Sequence, residues 1–505
     1  MCSVYPILNK AIQYAEYNMA LNMKKILITN MLFLCISNLV YANPLTLDDF
    51  IIEVLEHNPG VKRILADEEI ANAKLKSSYG IEDYVLSSSL SLEHSEPDQV
   101  TGKEATELDR RKLSLSLDRK FSDTGTQLSL AYQNFATEQQ PAALIAGESY
   151  YQPSLTLRLT QPLLKNAGGI QDRLNINLDK LGLELTRLSV REELENYITQ
   201  LANLYLDWYL SYNEMNILKE VYEQVIEQEK VIKLKVKRQV AEQYELLRIL
   251  ETQQDYYSRW QQSIGKFNGL SHQMVNQLGA STRSFQDNVK PQNPSDSKIV
   301  NADKNIARQN QYLLGTSRLK KTLDILKSQQ MELLNARSNA KKPELNISVG
   351  YTQHGIDESN TNAYINNQSD DYSVMLQYKQ ALGNRAASGK YHEQVATVKK
   401  IEADTLQRLI NAKSSLDNFS AQLDKLIIAA DSSSKKIQFA KRKLEQEKRL
   451  YKIGKFDLFQ LLQDQKTQLE SRINQIQLKI QLLKIKLNIG ELLDQNLDIY
   501  SSENN

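Results

Sequence analysis

Cysteine is almost absent from this chain of 505 residues, and its two copies, Cys2 and Cys35, both lie within the first 42 residues. If that segment is removed, as argued below, the remaining chain has no thiol. Disulfides, thiol catalysis and cysteine metal ligands are then excluded. The five histidines are scattered, and no Cys or carboxylate cluster has the spacing of a metal site. We therefore expect no metal and no cofactor.

An excess of charge of one sign is also lacking. The chain has 62 basic and 61 acidic residues, so it lacks the basic field that nucleic-acid binding requires. One segment superficially resembles a phosphate-binding loop, from Gly383 to Lys390. It has five residues between its glycines instead of four, and Tyr391 stands where Ser or Thr would bind magnesium. No nucleophile elbow or catalytic triad motif is visible, and the sequence predicts that the protein is not an enzyme.

Long hydrophobic runs are confined to the N-terminus. Lys24 and Lys25 precede an apolar stretch over 26–40, and Val40-Tyr41-Ala42 is typical of a cleavage site before Asn43. A membrane anchor would need a longer and less polar stretch, and lipid attachment at Cys35 would need a small residue in place of Leu34. We therefore predict a cleavable signal peptide that begins at Met23, with residues 1–22 as an upstream extension.

Strict alternation of apolar and polar residues predicts six β-strands. The alternating apolar positions are Leu86, Leu90, Leu92; Leu113, Leu115, Leu117; Leu128, Leu130, Tyr132; Leu155, Leu157, Leu159; Leu345, Ile347, Val349, Tyr351; and Val374, Leu376, Tyr378. Each predicted strand has one apolar and one polar face. A soluble sheet packed on helices would show the same pattern, but in an exported chain it is also the pattern of outer-membrane strands.

Each half of the chain repeats the same order of elements, strands followed by a long helical hairpin. The first half predicts barrel strands over 84–161 and a hairpin over 171–280, and the second predicts strands over 344–380 and a hairpin over 385–493. We place the first repeat at 43–287, a linker at 288–303, the second repeat at 304–493 and a tail at 494–505. The removed leader is 1–42.

The last predicted helix carries two apolar seams. The first contains Leu469, Ile473, Ile476, Ile480, Leu483 and Leu487, and the second contains Leu478, Leu482, Ile485, Ile489 and Leu492. At 100° per residue the seams lie about 160° apart, so neighbours must contact the helix from two sides. This is typical of a helix in a closed wall of helices, although a helix buried in an ordinary four-helix bundle remains an alternative.

Several short motifs in this order resemble the TolC family of outer-membrane efflux and secretion channels. They are Leu45 to Phe50 with Asn58-Pro59; Leu159 to Leu164 with Gly168-Gly169; Leu382 to Ala387; and Tyr451 to Gly454 with Leu461-Leu462. The resemblance covers residues 45 to 495. The sequence departs from the family by carrying six alternating segments where the family has four strands per subunit. The extra pair is 112–135, which could extend the barrel, line its mouth or lie outside the sheet.

The resemblance implies a homotrimer with a mainly α fold. A β-barrel shared by three subunits crosses the outer membrane and is continued by a periplasmic α-helical barrel. The implied function is a passive exit duct of a tripartite efflux pump or type I secretion system. The implied partners are outer-membrane lipids, a periplasmic adaptor, and an inner-membrane transporter of the RND, ABC or MFS type. Two alternatives remain, a periplasmic adaptor with a single hairpin and a secreted structural coiled-coil protein.

The resemblance also implies a pore-closing site at the tips of the hairpins. The candidate gating residues are Glu245, Tyr451, Gln460, Gln463, Asp457 and Asp464, and the candidate adaptor-docking residues are Gln239, Arg248 and Gly454. In the family, acidic side chains at the tip favour cations. Here the first repeat carries Glu245, but the second-repeat positions are Gln460 and Gln463. We therefore expect a thinner acidic ring, to which Asp457 and Asp464 could contribute.

Overall fold

The computed structural model describes residues 45–96, 98, 107–143, 147–279, 289–300, 306–365 and 368–501. The predicted leader, 1–42, lies outside the described residues, as do parts of the predicted linker and tail. Two compact units are present. One contains 200–279 and 424–487 together with the segments 45–58 and 289–300, and the other contains the sheet and the remaining helical segments.

A single antiparallel sheet of six strands holds all the alternating segments. Its strands are β1 Val85–Ser95, β2 Glu107–Phe121, β3 Thr126–Ala143, β4 Gly147–Pro162, β5 Glu344–Gly355 and β6 Gln368–Lys379, in the spatial order β1-β2-β3-β4-β5-β6. The segment 112–135 therefore forms the β2–β3 hairpin and lies inside the sheet, between β1 and β4. Of the three positions open to it, the structure excludes a place outside the sheet.

Four of the helices, α3, α4, α8 and α9, are far longer than those of ordinary globular domains. Their bounds are α1 Leu47–His57, α2 Pro59–Ser78, α3 Leu174–Lys237, α4 Gln243–Leu278, α5 Ile306–Gly315, α6 Arg318–Ala340, α7 Asn360–Ile365, α8 Arg385–Lys452, α9 Leu458–Leu492 and α10 Asn496–Ser501. At 1.5 Å per residue, α3 and α8 each extend about 100 Å. The mainly α fold with two long hairpins, α3–α4 and α8–α9, confirms the predicted fold class. It also disagrees with the single hairpin of the adaptor alternative.

The first unit is held together around Tyr205 of α3, which is fully buried. Its hydroxyl donates to the carbonyl of Leu45 at 2.6 Å and accepts the backbone N–H of Gln292 at 3.0 Å, so it joins the start of the described chain to the segment after the first hairpin. Thr46 caps α1 by accepting the N–H of Asp49. Burial raises the pKa of Tyr205, so the hydroxyl stays protonated and able to donate.

The second unit contains a buried ion network centred on Arg318 of α6. Its guanidinium donates to Glu195 at 2.7 Å and to Asp494 at 3.0 Å, and Glu195 is fully buried. Glu195 also accepts the backbone N–H groups of Asn496 and Leu497. Burial raises the pKa of Glu195 although Arg318 opposes the change. The network joins α3, α6 and the C-terminal segment, which are distant in sequence.

The first seam of α9 is buried more completely within one chain than the second. Leu469 and Leu487 are fully buried, Ile480 and Leu483 nearly so, and Ile473 and Ile476 are half-buried. The second seam is largely half-buried, at Leu478, Leu482, Ile485 and Leu492, whereas Ile489 is buried. The two sides that the spacing predicts are therefore present, and one of them is incompletely covered. The boundaries of the two sequence repeats remain a prediction, since each compact unit combines segments from both halves.

Candidate functional site

The turns that end α3 and α8 share one geometry, which makes them structural equivalents in the two halves. In the first, Val240 N–H donates to the Lys235 carbonyl at 2.9 Å, and Gln239 has a positive φ of 61°. In the second, Lys455 N–H donates to the Leu450 carbonyl at 3.0 Å, and Gly454 has a φ of 72°. Each turn closes its helix with the left-handed residue and the long hydrogen bond of a Schellman motif.

The helix that follows each turn begins at an acidic residue. Glu242 precedes α4 with extended backbone but makes no side-chain cap, whereas Asp457 accepts the N–H groups of Phe459 and Gln460 at 2.9 and 3.2 Å. The structure thus gives Asp457 a capping role at the start of α9. Because the two turns are equivalent, Glu245 in the first half and Gln460 in the second occupy equivalent positions after their turns, as the sequence match predicts.

Tyr451, at the end of α8, contacts Lys235 near the end of α3. The Lys235 ammonium lies 4.0 Å from the centre of the Tyr451 ring, within the range of a cation–π interaction, and 3.4 Å from the Tyr451 carbonyl. Burial raises the pKa of the Tyr451 hydroxyl to about 12, and the negative charges of Glu245 and Asp457 add to the shift. The structure therefore brings three of the predicted site residues, Glu245, Tyr451 and Asp457, into one electrostatic environment.

Arg248 joins the two turns a second time. Its guanidinium lies 4.9 Å from the ring centre of Phe459, in the second turn, and 5.7 Å from that of Tyr244, in its own. Both aromatic side chains are exposed, and Leu247 beside them is 61% exposed. The predicted docking residues Gln239, Arg248 and Gly454 thus belong to an accessible surface with aromatic and apolar groups.

An acidic pair with one lysine lies further along the second hairpin. Lys443 of α8 donates to Asp464 of α9 at 2.8 Å and lies 3.5 Å from Glu447. Burial and the nearby Asp464 carboxylate raise the pKa of Glu447, whereas hydrogen bonds from Lys443 and Gln460 outweigh burial and lower the pKa of Asp464. Gln463 is exposed, and its backbone carbonyl accepts the Thr467 hydroxyl.

A cavity of about 540 Å³ lies between α3 and α8 close to Tyr451. Its lining is mixed, with Glu220, Gln224 and Lys448 among the polar residues and Val231 and Leu461 among the apolar ones. Arg472 donates to Glu220 and lowers the pKa of that carboxyl, and burial lowers the pKa of Lys448.

The sequence analysis did not single out several residues that contact the predicted site residues. Lys235 and Phe459 carry no motif of their own, and their contacts depend on the pairing of two hairpins more than 200 residues apart. Lys443 and Glu447 lie within the second hairpin beside Asp464. Among the described residues, no group of three or more metal-binding side chains is found. Within the same residues, no helix is long and apolar enough to cross a membrane.

Comparison with solved structures places this chain among outer-membrane channels by fold. It superposes on VceC, an outer membrane protein of Vibrio cholerae, with a TM-score of 0.66 and 11% identity over 89% of this chain and 96% of that one. It matches the outer-membrane channel OprN with a TM-score of 0.66 and 14% identity, over 89% and 90% of the two chains. The CmeC channel of Campylobacter jejuni gives 0.64 and 13%, over 89% and 86%.

No protein-family model matches the sequence, and no match is found among curated protein sequences. Identities of 14% or less show the fold alone, but the superpositions extend over nearly the whole length of both chains. They confirm the fold that the resemblance to the TolC family implied. The chain has the fold of the outer-membrane channel proteins.

Proposed function

We propose that this protein is a passive outer-membrane channel that forms the exit duct of a tripartite efflux pump or type I secretion system. In this role it is exported by a cleaved signal peptide, inserts its sheet into the outer membrane and extends its helices into the periplasm. Small molecules or proteins pass through it, driven by an inner-membrane transporter. No step requires catalysis by the channel itself.

The observation that carries this proposal is that the apolar face of the sheet is the more exposed one. On β2 the leucines are more exposed than the polar residues between them. Leu113, Leu115 and Leu117 are each 37–38% exposed, whereas Ser116 and Asp118 are partly covered. A water-soluble sheet has the opposite arrangement. Apolar side chains on the open face and polar ones on the enclosed face are the pattern of a barrel with lipid outside and water within.

The incompletely covered seam of α9 supports a homotrimer. Because the second seam has the same heptad spacing as the buried one, we propose that a helix of a neighbouring subunit packs against Leu478, Leu482 and Ile485. Three chains then close both the sheet and the wall of helices. A closed barrel leaves no unpaired strand edge in the hydrocarbon, which a membrane requires.

The turns at the ends of the helical hairpins are the proposed gate and docking site. Three copies of Glu245 around the axis would attract cations, and the contacts of Lys235 and Arg248 with the opposite turn would hold the tip closed. A periplasmic adaptor would bind the exposed surface at Gln239, Arg248 and Gly454, and its docking would shift the hairpins to open the pore. The transporter it serves is of the RND, ABC or MFS type.

The test is to extract the full-length protein from outer membranes in mild detergent and to measure its mass, corrected for bound detergent. We expect three chains per particle, and ion-conducting steps when the particles are added to a planar lipid bilayer. A soluble periplasmic monomer would overturn the proposal. A membrane-bound trimer without conductance would refute the channel function while leaving the trimer in place.

A further inference from the structure

The register of the sheet joins all six strands into one continuous apolar face. A single line of paired positions crosses the whole sheet and contains only apolar or aromatic side chains: Leu86, Leu117, Leu130, Leu157, Tyr351 and Tyr372. The next line towards the helical end contains Leu128, Leu159, Val349 and Val374 on β3 to β6, and its position on β2 is Arg119. We call the side of the sheet that carries these apolar residues the apolar face. The β2–β3 hairpin contributes Leu117 and Leu130 to its central line.

The opposite side, the polar face, is equally continuous. It carries Ser116, Ser129, Thr156 and Thr352 along neighbouring strands, and the hydroxyls of Thr156 and Thr352 are 3.0 Å apart. The polar face does not change sides at the β2–β3 hairpin. A hairpin that folded away from the membrane to line the mouth would have no reason to keep leucine on the same side as its neighbours.

The apolar positions form a diagonal band across the sheet. On β6 the band runs from Tyr378 to Tyr372, whereas on β1 it begins at Leu86, the position in line with Tyr372, and continues to Leu92. The centre of the band is therefore displaced by about six residues, or roughly 20 Å, between the two edges. Five strand spacings of about 4.8 Å separate those edges, or roughly 24 Å.

These two lengths define the tilt of the strands in a membrane. If the apolar band lies parallel to the membrane plane, a displacement of roughly 20 Å along the strands over roughly 24 Å across them means that the strands are inclined at about 40° to the membrane normal. Strands of outer-membrane barrels are tilted by about 35–45°. The agreement is obtained for the sheet as it stands, with β2 and β3 lying between β1 and β4.

We infer that the β2–β3 hairpin crosses the outer membrane as part of the barrel wall, with the apolar face against lipid acyl chains and the polar face towards the lumen. This inference rests on the proposed function. With six strands from each of three chains, the barrel has eighteen strands. The four strands per subunit of the TolC family would give twelve. Since barrel diameter grows roughly in proportion to strand number, the lumen is about 1.5 times wider.

The test places a nitroxide spin label on each face of the hairpin in a Cys2→Ser/Cys35→Ser background, which has no other thiol. Leu117→Cys and Leu130→Cys label the apolar face, and Ser116→Cys and Ser129→Cys are the matched variants one residue away on the polar face. The full-length protein is reconstituted in phosphatidylcholine vesicles. Relaxation by oxygen, which concentrates in hydrocarbon, is compared with relaxation by a water-soluble nickel chelate.

We expect the oxygen-to-nickel ratio to be several-fold higher at 117 and 130 than at 116 and 129. A label at Leu157→Cys on β4, which is not part of the extra hairpin, distinguishes failure of this inference from failure of the proposed function. A high ratio at 157 with low ratios at 117 and 130 would overturn the inference and leave the channel intact. Low ratios at all three positions would mean that the sheet is not in the membrane, and the proposed function would fail as well.

Discussion

Replacement of Arg318 by methionine should destabilise the helical part of the protein strongly. Methionine fills a similar volume but removes the cation that lies between two buried carboxylates, 2.7 Å from Glu195 and 3.0 Å from Asp494. Breaking a buried ion pair by removing one partner costs about 3–5 kcal/mol, because the remaining charge has neither water nor a counter-ion. The backbone donors at Asn496 and Leu497 remain and set the cost nearer the lower value.

The loss of stability in Arg318→Met should increase as the pH rises. Burial raises the pKa of Glu195, so the folded state binds this proton more tightly than the unfolded state. A raised carboxyl pKa contributes stability at low pH that is lost as the pH rises through the folded-state value. Removing Arg318 raises this pKa further, so the deficit of Arg318→Met should be larger at pH 7.5 than at pH 5.

The assay is thermal unfolding of the detergent-solubilised full-length protein, followed by circular dichroism at 222 nm at both pH values. We expect the apparent midpoint of Arg318→Met to fall on the order of 5 °C at pH 7.5. Arg318→Lys keeps the charge without the two-pronged geometry and should recover part of the loss. The double variant Arg318→Met/Glu195→Gln should be less sensitive to pH than Arg318→Met. An unchanged midpoint, or a deficit that grows on acidification, would refute the reasoning.

Two further predictions use matched variants. Gly169→Ala should prevent the β2–β3 turn from docking, because a Cβ there would lie 1.6 Å from the Ser122 carbonyl oxygen. The matched variant Gly168→Ala has open space around its Cβ and should cost only about 1–2 kcal/mol, the penalty of a left-handed backbone. The yield of trypsin-resistant protein compares the two variants, and equal yields would contradict the prediction. Glu245→Gln should lower the ratio of cation to anion permeability several-fold in a bilayer under a salt gradient, because it removes three charges from the proposed gate. Glu251→Gln, on another face of the same helix, should leave the ratio unchanged, and a similar loss in both would place the selectivity elsewhere.

Periodicity predicted the six strands and the two long hairpins, because each of these elements depends on residues close in sequence, but it did not predict the short helices α7 and α10. The alternation at Leu113, Leu115 and Leu117 predicts a strand with one apolar face, and the structure contains it. The same alternation cannot tell which face is covered, since that depends on curvature and on what packs against the sheet. The exposure of these leucines, which decides between a soluble sheet and a membrane one, is visible only in three dimensions.

The candidate site was only partly predictable for the same reason. The match between Glu245 and Gln460 is a local repeat, and it locates both turns. The contact between Lys235 and Tyr451 and the network of Arg318 each join segments more than 100 residues apart, where no local pattern exists. An isolated lysine or arginine in a helix is usually a solvated surface charge. Neither residue could be singled out before the hairpins were paired.

The two edges of the sheet have a consequence for how the protein inserts into a membrane and assembles. Within the described residues of one chain, no strand pairs with the outer side of β1 or β6, and most of the side chains on both strands are exposed. A lone copy entering a bilayer would carry two rows of unpaired peptide groups into hydrocarbon, at a cost of several kcal/mol for each group. Folding of the membrane part and its assembly are then a single event. In the proposed trimer, the rate of assembly should rise steeply with the local concentration of chains, and one defective copy can block the other two.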